Sequence, residues 1–195
     1  MGARDDRTSA VALVLISLLI FSYSSPIIAA SSNSKSTTLW SGTVILPDGH
    51  TVGSQDVLVV EEGTTIRLGA DEHITVAGRI IIQGTTTNPV TIESITGKHD
   101  GIVFNQSSQG LGSNIENLTI LQAEFGITIY GSDPQLNDIN IANVDRVGVD
   151  LFDGATPTIN NLVINGGGAD VHGFSTTWRY GIGLSIGANS APIVN

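Results

Sequence analysis

Past residue 38 the chain alternates short apolar runs with turn residues, at a spacing no amphipathic helix would use. Val44 to Leu46, Val57 to Val60, Thr65 to Leu68, Ile74 to Val76, Ile80 to Ile82 and Val90 to Ile92 are short, rich in β-branched side chains, and bounded by Gly, Pro, Asp or Asn. Within them Ile66 and Leu68, Ile74 and Val76, and Val90 and Ile92 stand two residues apart, so each pair shares one face of a strand. Short strands are therefore predicted, beginning at Leu39-Trp40.

From Gly101 the pattern becomes a repeat. Gly126-Ile127-Thr128-Ile129 returns as Gly148-Val149-Asp150-Leu151 after 22 residues, and the stretch from Pro134 to Ile141 returns as Pro157 to Ile164 after 23. One strand type reads Gly-apolar-x-apolar, at Gly101, Gly126, Gly148 and Gly181. A second contributes one inward residue, Ile115, Leu136, Ile159 or Ile193, and a third follows with Leu118 and Ile120, Ile139 and Ile141, or Leu162 and Ile164. Three strands in so short a period leave no room for a helix and predict a parallel β-helix, a solenoid whose rungs bury their apolar faces only against one another. Asn117, Asp138 and Asn161 fall between the second and third strands of successive rungs, where a sharp corner needs the left-handed backbone that Asn and Asp tolerate. They are expected to form a corner ladder. Pro134, Pro157 and Pro192 enter the second strand where a missing N–H harms the ladder least.

These residues, with the opening passage DVLVVEEGTTIRLGADEHITVAGRIIIQGTTTNPVTIES, resemble the pectate-lyase-like superfamily of secreted right-handed parallel β-helix proteins over residues 57–195. The resemblance implies an all-β, right-handed parallel β-helix (the pectin lyase fold), here preceded by an N-terminal signal or anchor helix. It leaves the activity open, because the superfamily includes lyases, hydrolases, adhesins and binding modules. Its enzymes place their carboxylates on the outward face of the first-strand sheet and its flanking loops.

Composition narrows the setting. Charged residues are only 13% of the chain and the net charge is −10, a balance that excludes tracking a nucleic-acid backbone. Residues 1–30 read as a signal peptide or an uncleaved N-terminal anchor: Arg4 and Arg7 precede the apolar run from Ala10 to Phe21, and Ala29, Ala30 and Ser31 follow. Residues 31–38 are a polar linker and 39–195 the β-helix. An extracellular or cell-surface location is expected, with any membrane contact made through residues 1–30. No cysteine is present, so there are no disulfides and no thiolate chemistry. Asn195 falls in a turn just begun, without a polar cap, so the C-terminal end is expected to be covered by further turns or by another subunit.

The chemistry is sparser. The outward positions of the first strand read as Val103, Thr128, Asp150 and Gly183, with Asp153 just beyond. One Asp falls short of the two carboxylates of a glycoside hydrolase and of the set a calcium-dependent lyase gathers, so no catalytic residue is assigned. Between Ile164 and Gly181 the connection lengthens, and it carries Asp170, His172, Trp178 and Arg179. An aromatic beside Asp, His and Arg suits a sugar ring and its hydroxyls, and the resemblance places this loop beside Asp150. A surface excursion with Trp178 packed on the barrel is the other reading. His172-Gly173 is similar to the histidine motif of polygalacturonases, without the paired Asp and Arg-x-Lys signatures that accompany it. No metal site is read, and no cofactor is expected apart from calcium under the lyase reading. Sequons stand at Asn105 and Asn117, and Asn105 is the expected glycan acceptor because Asn117 belongs to the corner ladder. The leading expectation is a non-catalytic recognition or scaffold module whose partner is a polysaccharide or cell-surface glycan. The alternatives are a polysaccharide lyase or glycoside hydrolase with catalytic residues partly beyond Asn195, and a structural surface fibre or adhesin.

Overall fold

The computed structural model describes residues 35–166 and 181–195. The predicted signal or anchor segment and the loop candidates Asp170, His172, Trp178 and Arg179 lie outside the described residues. The described chain is a parallel β-solenoid of about 6 turns, with about 23 residues per turn. Rung one holds β1 (Thr37–Trp40), β2 (Thr43–Leu46) and β3 (His50–Val52). Rung two holds β4 (Val57–Val60), β5 (Thr65–Leu68) and β6 (Ile74–Val76), and rung three holds β7 (Arg79–Gln83), β8 (Val90–Ser94) and β9 (Ile102–Phe104). Later rungs fuse the second and third strands: β10 (Asn114–Leu121) precedes β11 (Phe125–Tyr130), β12 (Gln135–Ala142) precedes β13 (Val147–Phe152), and β14 (Thr158–Asn165) precedes β15 (Ile182–Ile186). β16 (Ile193–Val194) opens the next turn.

All pairing is parallel and rung on rung. One sheet stacks β3-β6-β9-β11-β13-β15 and is the predicted first-strand sheet; the other runs β1-β4-β7-β10-β12-β14-β16, with β2-β5-β8 joining at β10. The joint explains the fused strands. The first half of β10 pairs with β7 through Ile115 and Ile82, and its second half pairs with β8 through Leu118 and Val90. The bend between them is a single left-handed residue, Asn117 (φ 48°), repeated by Asp138 and Asn161 (both φ 56°). Asn117 Nδ2 donates to the Gly84 carbonyl at 3.1 Å, and Asn161 Nδ2 donates to Asp138 Oδ1 at 2.9 Å.

Inward columns fill the solenoid. Ile74, Ile102, Ile127 and Val149 stack in one column, and Val76, Phe104, Ile129 and Leu151 in the next, all fully buried. Because the rungs are only one strand spacing apart, about 4.8 Å, each side chain rests directly on its equivalents above and below. Gly126 and Gly148 are explained by the same crowding. A Cβ on Gly126 would lie 2.8 Å from Ile141 Cδ1, and one on Gly148 would lie 2.6 Å from Ile164 Cδ1, so the core side chains of the following strand occupy that space.

Two registers differ from the expected ones. Asp150 pairs with Ser185 and Val149 with Leu184, so Gly183, not Gly181, continues the Gly126–Gly148 column, and Ser185, not Gly183, lies beyond Asp150 on the outward face. In β16, Val194 lies opposite Ile159 and Ile193 opposite Thr158. Asn195 therefore extends the column of Asn160, one position before the corner, and donates to Asn160 Oδ1 at 2.8 Å. A one-residue shift exchanges the two faces of a strand, and a gap of uneven length hides the shift from any spacing argument.

Candidate functional site

Outward along the first-strand sheet, the side-chain column is Thr75, Val103, Thr128, Asp150 and Ser185. Most of these are polar because this face lies outside the packed interior, yet the middle of the column is not flat surface. Thr128 and Asp150 are buried, Asp150 with only 4% of its area exposed. They lie in a groove of about 390 Å³ lined by His73, Asp100, Val103, Phe125, Thr128, Tyr130, Asp150 and Phe152.

Strand register orders these residues. At one end of β11 and β13, Tyr130 pairs with Phe152, and parallel pairing stacks their rings at 5.1 Å with an interplanar angle of 14°. Tyr130 keeps 38% of its area exposed, so the stack offers an open edge. At the other end Phe125 opens β11, with the Arg146 guanidinium 5.4 Å over its ring. The two ends are five residues apart, from Phe125 to Tyr130, or roughly 16 Å along a strand.

The polar end is a stacked ladder of charges. A bridge between His99 and Ala123 sets the register before the strands, and the Glu124 N–H donates to the His99 carbonyl while the Arg146 N–H donates to the Glu124 carbonyl. Asp100, Glu124 and Arg146 thus follow one another rung by rung, and Arg146 pairs with Glu124. Burial pushes the Asp100 carboxyl up to about 6, and Glu124 and Asp71 push it the same way, while His73 and Arg146 act against them. Asp100 Oδ1 and His73 Nδ1 are both buried without a hydrogen-bond partner, and both residues line the groove.

Next to Asp100, His99 is fully buried in the core. Its Nδ1 accepts from the Gly101 N–H at 3.0 Å and its Nε2 lies 3.0 Å from the Leu121 carbonyl, which fixes the neutral ring with its proton on Nε2. Burial holds its pKa below the ordinary histidine value.

The expected site residues fall out as follows. Asp150 lies in the groove. Asp153 does not line it: it sits exposed at φ 54°, in the turn after β13. Asn105, the expected glycan acceptor, is half-buried before the short 3-10 turn Gln106–Ser108, where its carbonyl accepts from Ser108 and its side chain makes no cap. Among the described residues no group of three or more His, Asp or Glu is placed to hold a metal ion.

Sequence reasoning missed His73, Asp100, Phe125, Tyr130 and Phe152. The rings were findable, since Tyr130 and Phe152 each follow the last inward residue of a recognised repeat. Asp100 was not. Matching the strand glycines sets it beside Phe125, but an extra residue in the next rung brings it opposite Glu124. Comparison of the chain with protein-family models, with curated proteins and with solved structures gives no match. The site's own chemistry must carry the functional reading.

Proposed function

We propose that the chain is a secreted or cell-surface β-helix module that recognises carbohydrate, non-catalytically, through the groove on its first-strand sheet. The observation that carries the reading is the Tyr130–Phe152 stack, which continues into a row of polar groups, the buried Thr128 and Asp150 and the half-buried Asp100. A sugar ring has an apolar C–H face and a polar rim, and an aromatic platform beside hydrogen-bonding groups matches both. The likeness of the repeat to the pectate-lyase-like superfamily supports the same face, because that is where the superfamily presents its polysaccharide-directed chemistry. Titration of a panel of neutral, acidic and basic oligosaccharides against the full-length chain tests the reading. Tyr130→Ala is expected to weaken the best ligand at least tenfold, and a panel with no ligand, or with affinity indifferent to Tyr130, rejects it.

One observation favours a second reading, a polysaccharide-degrading enzyme. Two carboxyls, Asp100 and Asp150, line one groove, and the first has a pKa of about 6, suited to holding a proton near neutrality for a leaving oxygen. Release of reducing ends from a bound polysaccharide, abolished by Asp100→Asn, would replace the binding module with the enzyme.

A further inference from the structure

Resting on the carbohydrate reading, the inference concerns which sugar the groove accepts. We propose that it selects an oligosaccharide bearing free ammonium groups, a polymer of amino sugar, with an ammonium at Asp100 and a further unit on the Tyr130–Phe152 stack. The argument starts with unmet hydrogen bonds. Asp100 Oδ1 and His73 Nδ1 are buried at one end of the groove without partners. A buried acceptor left unmet costs about 1–3 kcal/mol, which a ligand donor would recover. An ammonium offers three donors and no acceptor, and so suits a carboxylate better than a hydroxyl does.

Charge points the same way. In the ladder of Asp100, Glu124 and Arg146 the cation pairs with Glu124 and lies over Phe125, leaving Asp100 next to a carboxylate rather than opposite an arginine. No lysine or arginine is among the described residues lining the groove. A polyuronate would bring like charge to this end, whereas an ammonium would restore the balance. A bare divalent ion fits less well, because it needs several oxygens and no such cluster is present among the described residues. Length also matters. The roughly 16 Å from Phe125 to Tyr130 exceeds one sugar ring, so an oligomer rather than a monosaccharide spans both ends.

The groups facing Asp100 set the pH dependence. Glu124 and Asp71 raise its pKa and His73 and Arg146 lower it, and the balance with burial leaves it near 6. Its carboxylate is thus largely neutral at pH 5 and charged at pH 7.

The test titrates the full-length chain, at physiological ionic strength to suppress general attraction to an acidic protein. The ligands are a β-linked glucosamine hexamer, its fully N-acetylated counterpart and an oligogalacturonate, each at pH 5 and pH 7. The glucosamine hexamer is expected to bind at least tenfold tighter than the acetylated one at pH 7, with the gap narrowing at pH 5. Asp100→Asn should weaken the glucosamine hexamer more than the acetylated one and so remove the gap, and Tyr130→Ala should weaken both alike. Equal affinity for the two hexamers, a preference that survives Asp100→Asn, tightest binding of oligogalacturonate, or Asp100-dependent binding of calcium chloride alone would each overturn the inference. Binding of neutral sugars through Tyr130 without an ammonium preference defeats this inference and leaves the carbohydrate reading standing. Failure of every sugar defeats both.

Discussion

The N-terminal rungs, from β1 to β9, and the later rungs, from β10 to β14, turn the same corner by different chemistry. In the first two, separate strands are joined by short turns in which a glycine takes positive φ: Gly42 (68°) between β1 and β2, and Gly63 (70°) between β4 and β5. In the later ones, one Asn or Asp bends a continuous strand, and its side chain bonds a neighbouring rung. A glycine corner supplies conformational freedom alone, whereas an Asn or Asp corner adds a hydrogen bond along the stack. The groove shows the same division. Its aromatic end belongs to the later rungs, where β11 and β13 are long enough to bring Tyr130 over Phe152, and β3, β6 and β9 stop at three residues.

The core should be indifferent to this division. Phe104 is fully buried and lies in register between Val76 of the rung before and Ile129 of the rung after, at the junction of the two regions. Phe104→Ala is expected to cost about 3–5 kcal/mol in denaturant unfolding, the largest effect of any single truncation considered. A loss confined to one region, seen as a biphasic transition, would mean that the two halves unfold independently.

Glycines sharpen the comparison. At Gly63 an added Cβ meets only Asn88 Cβ, at 3.8 Å, so Gly63→Ala costs the left-handed backbone penalty alone, about 1–2 kcal/mol. At Gly126 the backbone is not left-handed, but a Cβ would strike the Gly148 carbonyl and Ile141. Gly126→Ala should therefore destabilise by about 2–3 kcal/mol through overpacking. If thermal unfolding ranks the two substitutions the other way, conformation rather than space decides both.

Acidity separates two neighbours at the junction. The Asp100 pKa rises from 3.8 to about 6 on folding, so the folded chain binds a proton that the unfolded chain releases. Its contribution to stability is full below pH 3.8 and is lost as pH rises through 6. The pKa of His99 is lowered from 6.5, so its contribution is present above 6.5 and is lost as pH falls. Asp100→Asn should stabilise the chain at pH 7 by roughly 1 kcal/mol, a figure discounted for the residue's half exposure, and the gain should vanish near pH 4. A gain that grows on acidification would contradict the burial of Asp100 against Glu124.

How far the chain could be read in advance follows from what holds each feature. The strands and corners were legible because burial imposes a period of two along a strand and the repeat imposes one near 22; Ile127 over Val149 and Asn161 over Asp138 needed nothing more. The groove was legible only at Asp150, which sits inside the repeat. Asp100 and His73 lie in the connections before β9 and β6, where lengths vary from rung to rung. The Asp100 N–H donates to the Glu72 carbonyl, which sets it beside His73, and the His99–Ala123 bridge sets it beside Glu124; no spacing announces either. The register of β15 was lost for the same reason, after the longest connection in the chain.

The outward amides give the smallest effect and the finest test of the two corner chemistries. Asn160 donates to Asn137 Oδ1 at 2.7 Å, and Asn137 donates to Asn114 Oδ1 at 3.2 Å, so a second ladder runs beside the corner ladder through the later rungs. These side chains are half-buried, so water competes for each bond and the net worth is about 0.5–1.5 kcal/mol. Asn137→Ala removes one donor and one acceptor and should cost about 1 kcal/mol. Asn161→Gly keeps the left-handed backbone and loses only the bond to Asp138, so it should cost less than Asn161→Ala, which meets the backbone penalty as well. If Asn161→Gly instead costs as much as Asn161→Ala, the side-chain bond dominates the corner. The later rungs would then be held at their edge by amides and the earlier ones by glycine geometry alone, and hydrogen exchange at the corner amides should rise only in the later rungs.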